Sequence, residues 1–262
     1  MSRINIALGM TQDWQKYARV TIASILLNAS SKDEYYFYIM SDEFTQDDKR
    51  NFVKLSLIKD AEFEFIKMNE SDFEGVIHDW LGVSSSYRLK LSTITKLDKV
   101  LYLDSDVIIL KNINELYSID VSDYYMAAVE DKMSFWMRNR IAGMGENNPF
   151  INGGVQLMNL TNFRKDNLEN IIFEKLRSNV GYTDQDVIND VCHKKILSLP
   201  LKYNLMLAEG DIYKDRKEEL QEAKKAPVII HYMRKPWVDK NVEFADYWLR
   251  YNKYLEDYID KF

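Results

Sequence analysis

The run Lys99-Val100-Leu101-Tyr102-Leu103 passes without a break into Asp104-Ser105-Asp106, and this junction constrains the fold more than any other stretch. A short segment that is apolar on both faces is best hidden at the centre of a sheet covered on both sides, the setting of parallel strands. Upstream of it, strand and helix patterns alternate. Residues 4–9 predict a buried strand, 18–27 a helix with an apolar face, and 35–40 an aromatic-rich strand. Thr45 then caps a polar helix reaching residue 57, residues 62–66 give a third strand, and residues 84–97 read as a helix. Strands separated by helices predict an α/β fold with a mostly parallel central sheet flanked by helices. Such sheets take their ligands beyond the carboxyl ends of the strands, which is where Asp104 and Asp106 stand.

The second half is less regular. Residues 125–129, 155–158 and 228–231 predict strands, and residues 161–176 and 244–262 predict helices. Asp184–Cys192 reads as a further helix with Asp184 as its cap. With 4 Pro and 9 Gly in 262 residues there is no linker, repeat or low-complexity tract, so a single domain over residues 1–262 is expected. Hydrophobic residues at 46% supply a core without covalent staples. Lys plus Arg number 35 against 41 Asp plus Glu, which argues against nucleic acid as a partner. The single cysteine, Cys192, excludes a disulfide framework or a multi-thiolate zinc site and is expected to be a buried bystander. The first apolar run is too short for a signal peptide, and the longest uncharged stretch, residues 20–31, falls short of the roughly 20 residues of a spanning helix. A cytoplasmic protein is the expectation. Trp248, Tyr251, Tyr254, Leu255 and Tyr258 fall at helical spacings, and the mixed charges around them favour core packing over a membrane surface.

Four groups of residues can carry chemistry. Asp104 and Asp106 can both turn toward a hard divalent cation and a diphosphate bound to it. The spacing alone decides nothing, because Asp184 and Asp186 repeat it at a helix start, where carboxylates commonly do no more than cap. His231 ends an apolar strand and precedes Arg234-Lys235-Pro236-Trp237, two cations and a stiff corner in an acidic chain. Asn152-Gly153-Gly154 offers an amide and two positions open to close backbone approach, or a simple tight turn before a strand.

Taken in order, residues 100–106, then Ile151-Asn152-Gly153-Gly154-Val155-Gln156-Leu157-Met158-Asn159-Leu160, then Tyr182-Thr183-Asp184-Gln185-Asp186-Val187-Ile188-Asn189, then Ile230-His231-Tyr232 with Lys235-Pro236-Trp237, form a pattern that resembles glycosyltransferase family 8. The likeness to these glycogenin-like and bacterial lipo-oligosaccharide galactosyltransferase-like enzymes covers residues 4–255. It implies a GT-A type nucleotide-sugar-binding fold and transfer of a hexose from a UDP-sugar with retention of anomeric configuration, using manganese, with magnesium as the alternative. Residues 1–110 would form the nucleotide-binding half and residues 111–262 the sugar- and acceptor-binding half.

On the same resemblance Asp104, Asp106 and His231 would be the metal ligands, with Ser105 between them in the donor site. Lys235 would neutralise a phosphate oxygen, and Arg88 matches a family arginine near the donor sugar and diphosphate. Asn152 and Gly153 would line the sugar pocket, and Asp184 and Gln185 would bind the transferred hexose, Gln185 facing the anomeric carbon. An amide is a feeble nucleophile, so front-face substitution is preferred to a covalent intermediate, for which Asp184 is the one carboxylate candidate. Glu130-Asp131 matches a family region with an acidic sugar contact, either residue qualifying. The donor would be UDP-glucose or UDP-galactose. The acceptor would be a glycan, glycolipid or glycoprotein, and a lipid-linked one would bring the chain to the inner membrane face.

Two features depart from the family. Only Tyr232-Met233-Arg234 separates His231 from Lys235, where the family has a longer spacer with a glycine, leaving Arg234 to compensate. After strand one, the family's Asp/Asn-rich turn is replaced by Met10-Thr11-Gln12-Asp13-Trp14, which leaves Thr11 and Asp13 as altered uridine contacts. The shortened spacer motivates one rival, a non-catalytic nucleotide-sugar binder of the same fold. The other is a haloacid dehalogenase-type phosphatase with Asp104 as nucleophile, although that motif normally opens its domain and three strand–helix units precede it here.

Overall fold

The computed structural model describes residues 2–76, 82–131, 149–179, 182–206 and 213–261. Among the described residues ten strands run in chain order: β1 (Ser2–Met10), β2 (Asp33–Ser41), β3 (Ala61–Lys67), β4 (Lys99–Leu103), β5 (Val107–Ile109), β6 (Met126–Glu130), β7 (Ile151–Asn159), β8 (Ile196–Leu199), β9 (Leu205–Met206) and β10 (Ile229–His231). Seven of them form one sheet in the order β3-β2-β1-β4-β7-β6-β8. β4 stands in the middle of the order with β1 beside it; Ile4, Ile6 and Leu8 of β1 enter one core and Ala7 the other. The pairings of β1 with β2 and β4 are parallel, as is that of β2 with β3. β7 is antiparallel to both β4 and β6, while β8 runs parallel to β6, so β7 alone opposes the other six.

Helices cover both faces. α1 (Gln15–Leu27) buries Ile22, Ile25 and Leu26 on one side, together with Trp248 and Tyr251 of a C-terminal helix. The opposite face is covered by the helices that follow β7, through Phe163, Ile172, Phe173, Val187 and Ile188. Burying a side chain of this size contributes about 1.5–3 kcal/mol, so these two layers dominate the stability of the sheet.

Strands β5, β10 and β9 make a smaller sheet beyond the end of β4. β10 is antiparallel to β5, opposing His231 to Val107, and Tyr232 N donates to the Asp106 carbonyl at 3.1 Å. That pairing carries a late segment of the chain to the acidic pair.

Strands β1 to β4 and α1 match the sequence reading, as does the Thr45 cap, whose side chain and Asp48 form a reciprocal capping box over α2 (Gln46–Val53), which continues to residue 57 as a 3-10 turn. Others differ. Residues 84–97 are not one α-helix: a 3-10 segment, Val83–Lys90, leads into a single α turn, α3 (Leu91–Ile94). A short α4 (Asn114–Tyr117) precedes β6. The segment 161–176 splits into α5 (Leu160–Lys165) and α6 (Leu168–Ser178) because Asn167 takes the left-handed conformation with φ of 53°, which an asparagine tolerates. The helix α7 (Asp184–Cys192) is capped by Thr183, not Asp184; Asp186 closes the capping box and leaves Asp184 for other work. Asn152, Gly153 and Gly154 lie inside β7, where no turn is made. After α8 (Lys217–Lys225), α9 (Ala245–Tyr254) continues as a π-helical turn, Leu255–Ile259. It packs Trp248, Tyr251 and Leu255 into the core as expected and leaves Tyr258 outside. Cys192 is fully buried, and burial raises its thiol pKa far from the reactive range.

Candidate functional site

Asp104 and Asp106 leave the end of β4 in a turn that is held on both sides. Asp104 N donates to the Gly154 carbonyl at 2.8 Å, and the Asp106 carbonyl is taken by Tyr232 N. His231 comes in on β10 against β5. Ligand atoms of Asp104, Asp106 and His231 all lie within 4.8 Å of one another. Asp106 Oδ1 is buried without a hydrogen-bond partner among the described residues and stands 3.2 Å from His231 Nε2. Two carboxylates and an imidazole, with one carboxylate oxygen orphaned between them, fit a hard or borderline divalent cation.

The imidazole is oriented from behind. His231 Nδ1 lies 3.1 Å from Asn204 Oδ1, while the Asn204 amide nitrogen donates to Asn152 Oδ1 at 2.9 Å. With its NH2 committed to Asn152, Asn204 accepts through oxygen, so Nδ1 carries the proton and Nε2 faces the carboxylates. Asn152 Oδ1 also accepts from Gly154 N at 2.9 Å. Gly154 itself makes room: a Cβ there would lie 2.7 Å from Asp104 Oδ2 and overlap the His231 ring.

Burial disfavours the His231 imidazolium, yet Asp106 and Asp104 outweigh it and hold the ring pKa above its ordinary 6.5. Burial likewise pushes the Asp104 carboxyl up, against Arg88 and with Asp106 adding to the rise. At Asp106 burial is overcome by His231 and Lys235, which hold the carboxyl well below the usual range.

Arg88, from the 3-10 segment, joins this group to a second one. Its guanidinium binds Asp184 through Nε at 2.7 Å and through Nη2, donates from Nη1 to the Gly153 carbonyl at 2.7 Å, and reaches Asp104 at 3.4 Å. A Cβ on Gly153 would lie 2.8 Å from the guanidinium, so glycine is required for this packing. Asp184 is buried, and its Oδ1 has no partner among the described residues. Gln185 is pinned at both ends of its amide: Oε1 accepts from Gly153 N at 2.9 Å and Nε2 donates to Asp131 Oδ2 at 3.0 Å.

Lys235 Nζ bonds Asp106 Oδ2 and the Tyr232 carbonyl, the latter at 2.7 Å. Its loop is anchored by Trp237, stacked on Tyr17 with ring centroids 4.0 Å apart and edge-on to Trp14 at 5.7 Å. The structure therefore gathers Arg88, Asp104, Asp106, Asn152, Gly153, Asp184, Gln185, His231 and Lys235 at one edge of the sheet. Asp131, of the two acids after β6, is the one that reaches Gln185, while Glu130 faces Arg216 at 3.8 Å. Ser105 is buried with its hydroxyl against the Met10 sulfur at 3.9 Å, and its carbonyl accepts from Thr21 Oγ1 of α1 at 3.1 Å. Thr11 caps the short 3-10 turn Gln12–Trp14 after β1, and Asp13 lies within it, exposed. Arg234 pairs with Asp239 at 2.8 Å. Sequence reasoning missed Asn204 and Asn189. Asn189 anchors the start of β7 by exchanging bonds with Ile151, and two fully buried asparagines give no signal until their neighbours are known.

The family model for glycosyl transferase family 8 matches residues 5–241. A lipopolysaccharide 1,2-glucosyltransferase of Escherichia coli is 30% identical over 264 residues, covering 93% of this chain and 76% of that protein. A putative glycosyltransferase of Haemophilus influenzae is 28% identical over 239 residues, covering 87% and 71%. Among solved structures, the galactosyltransferase LgtC in complex with donor and acceptor sugar analogs superposes with a TM-score of 0.79 at 21% identity, over 95% of both chains. The bifunctional glycosyltransferase WbbM superposes at 0.85 and 20% identity, over 99% of this chain and 51% of that one. These likenesses agree with a mostly parallel sheet of the GT-A type. With the acidic pair and the motif order found above, they make this chain a member of glycosyltransferase family 8.

Proposed function

We propose that the chain moves glucose or galactose from the UDP-sugar to a glycan, glycolipid or glycoprotein acceptor, with retention and with manganese or magnesium. The observation that carries this reading is the meeting of the Asp104–Asp106–His231 group with the Arg88–Asp184–Gln185 network, linked through Arg88. Asp104, Asp106 and His231 would hold the cation, which when bound supplies Lewis-acid stabilisation to a departing diphosphate. Arg88 and Lys235 set further positive charge beside that leaving group. The orphaned Oδ1 of Asp184 accepts from a sugar hydroxyl, and Asn152 and Gly153 form the wall of the sugar pocket. Gln185, fixed between Gly153 and Asp131, presents an oriented carbonyl oxygen to the anomeric carbon. An amide so held stabilises developing positive charge better than it attacks, which favours front-face substitution. Thr11, Asp13 and Ser105 complete the donor side.

In this reading residues 1–110 are the nucleotide half and residues 111–262 the sugar and acceptor half of one domain. No helix among the described residues is long and apolar enough to cross a membrane. We take the site of action to be the cytoplasm, at the inner membrane face where the acceptor is lipid-linked. The test is thermal melting with UDP in manganese and in EDTA. UDP at 100 times its dissociation constant adds about 2.7 kcal/mol, a rise of about 5–10 °C for a chain of this size. A manganese-dependent rise that disappears in Asp106→Asn supports the reading, and no shift at any UDP concentration sinks it. The shortened loop, with Lys235 seated on Asp106, favours one rival, a non-catalytic binder. Donor binding without turnover over a broad acceptor panel would select it. Family membership removes the phosphatase.

A further inference from the structure

Both carboxylates of the cation group already have an internal counter-ion, and the two counter-ions differ in kind. Arg88 is buried and tied to Asp184 and the Gly153 carbonyl, with Asp104 its longest contact at 3.4 Å. It stays in place whatever happens at Asp104. Lys235 is about a quarter exposed, rides on a four-carbon stem, and gives its ammonium directly to Asp106. The loop that carries it is not free to swing. Val238 N and Asp239 N both donate to the Lys235 carbonyl at 3.0 Å, Tyr232 N is bound to Asp106, and Trp237 is stacked on Tyr17. Only three residues separate His231 from Lys235, so a fixed backbone sets the ammonium over the Tyr232 carbonyl and within reach of Asp106. The mobile part is the side chain alone.

Resting on the cation site proposed above, we infer that Lys235 is an exchangeable stand-in for the divalent cation. It neutralises Asp106 while the site is empty, releases it to the incoming cation, and then turns to the diphosphate. A cation arriving alone must expel a bound ammonium and leave it without its anion, so it binds weakly. A cation arriving with a diphosphate gives the displaced ammonium a new anion. The two ligands therefore bind with positive coupling, and Lys235 adds a share to it beyond the direct attraction of cation and diphosphate.

The experiment measures manganese affinity of the full chain by electron paramagnetic resonance of free Mn2+, with and without saturating UDP. Native protein, Lys235→Met, Lys235→Gln and Lys235→Arg are compared, with circular dichroism to verify folding. Without UDP, the two neutral variants are expected to bind Mn2+ roughly tenfold tighter than native, the scale of a partly desolvated charge pair. Lys235→Arg should stay weak. UDP should tighten Mn2+ binding by a larger factor in the native chain than in the neutral variants. If both neutral variants bind Mn2+ no tighter than native while native binds it in the presence of UDP, the inference is overturned and the cation site stands. If native binds no Mn2+ even with UDP, both readings fall together.

Discussion

Asn204 Oδ1 faces His231 Nδ1 at 3.1 Å, and this contact turns the other ring nitrogen toward the acidic pair. Replacing Asn204 with Leu removes the acceptor and frees the ring to rotate or change tautomer. Outer-shell losses of this kind typically weaken metal binding about 10–100-fold. Isothermal titration of Mn2+ in the presence of UDP should show that loss for Asn204→Leu and a much smaller one for Asn204→Asp, which keeps an acceptor oxygen. Equal affinities for all three proteins would remove Asn204 from the site.

The raised pKa of His231 gives metal binding and stability opposite pH trends. Its folded pKa exceeds the ordinary 6.5, so the imidazolium between the carboxylates stabilises the metal-free chain fully below that value. The contribution disappears as pH rises through the raised value. A cation needs the neutral ring, so its affinity increases over that same interval. Melting scans in EDTA and in manganese, from about pH 5.5 to 8.5 where an imidazole titrates, should show a metal-induced shift that grows with pH. A shift independent of pH would exclude His231 as a ligand.

Gly154→Ala tests the packing that allows the cation group to assemble. The new Cβ would sit 2.7 Å from Asp104 Oδ2 and against the His231 ring, and β7 is held between β4 and β6. Overpacking of this kind costs about 1–3 kcal/mol. Urea denaturation should find a folded, weakened chain, and Mn2+ titration should find the site lost. Retained affinity would mean that the strand yields.

Breaking the Arg88–Asp184 pair from one side leaves the other charge buried, for both side chains are almost wholly inaccessible. Arg88→Met and Asp184→Asn should each lower stability by about 3–5 kcal/mol, and the double variant by less than their sum. A double-mutant cycle in urea measures the coupling, and strict additivity would show that the pair does not act as a unit.

Much of this architecture was legible from apolar periodicity. Strands β1, β2 and β4 sit where their apolar runs predicted, because a strand covered on both faces can tolerate few polar side chains. The four motifs meet beyond the carboxyl end of β4. What escaped detection depended on partners distant in sequence. Asp184 was read as a cap because acids favour helix starts, but Thr183 takes that position and Arg88 claims Asp184. Gly153 and Gly154 left open a close approach or a tight turn; no turn is made, and the close neighbours are the guanidinium and the imidazole pressed against them. The break at Asn167 and the 3-10 course of Val83–Lys90 reflect tertiary fit, which local propensity does not encode.

The pairing of β10 with β5 has a consequence for biosynthesis. A ribosome adds residues at roughly 5–20 per second, so several seconds separate emergence of Asp106 from that of His231 and Lys235. Throughout that interval the strand Val107–Ile109 lacks its antiparallel neighbour, and the acidic pair lacks two of the positive groups that later surround it. A nascent chain therefore carries a sticky apolar edge beside uncompensated negative charge. The Asp104–Asp106–His231 group can therefore close only after residue 231 has left the tunnel.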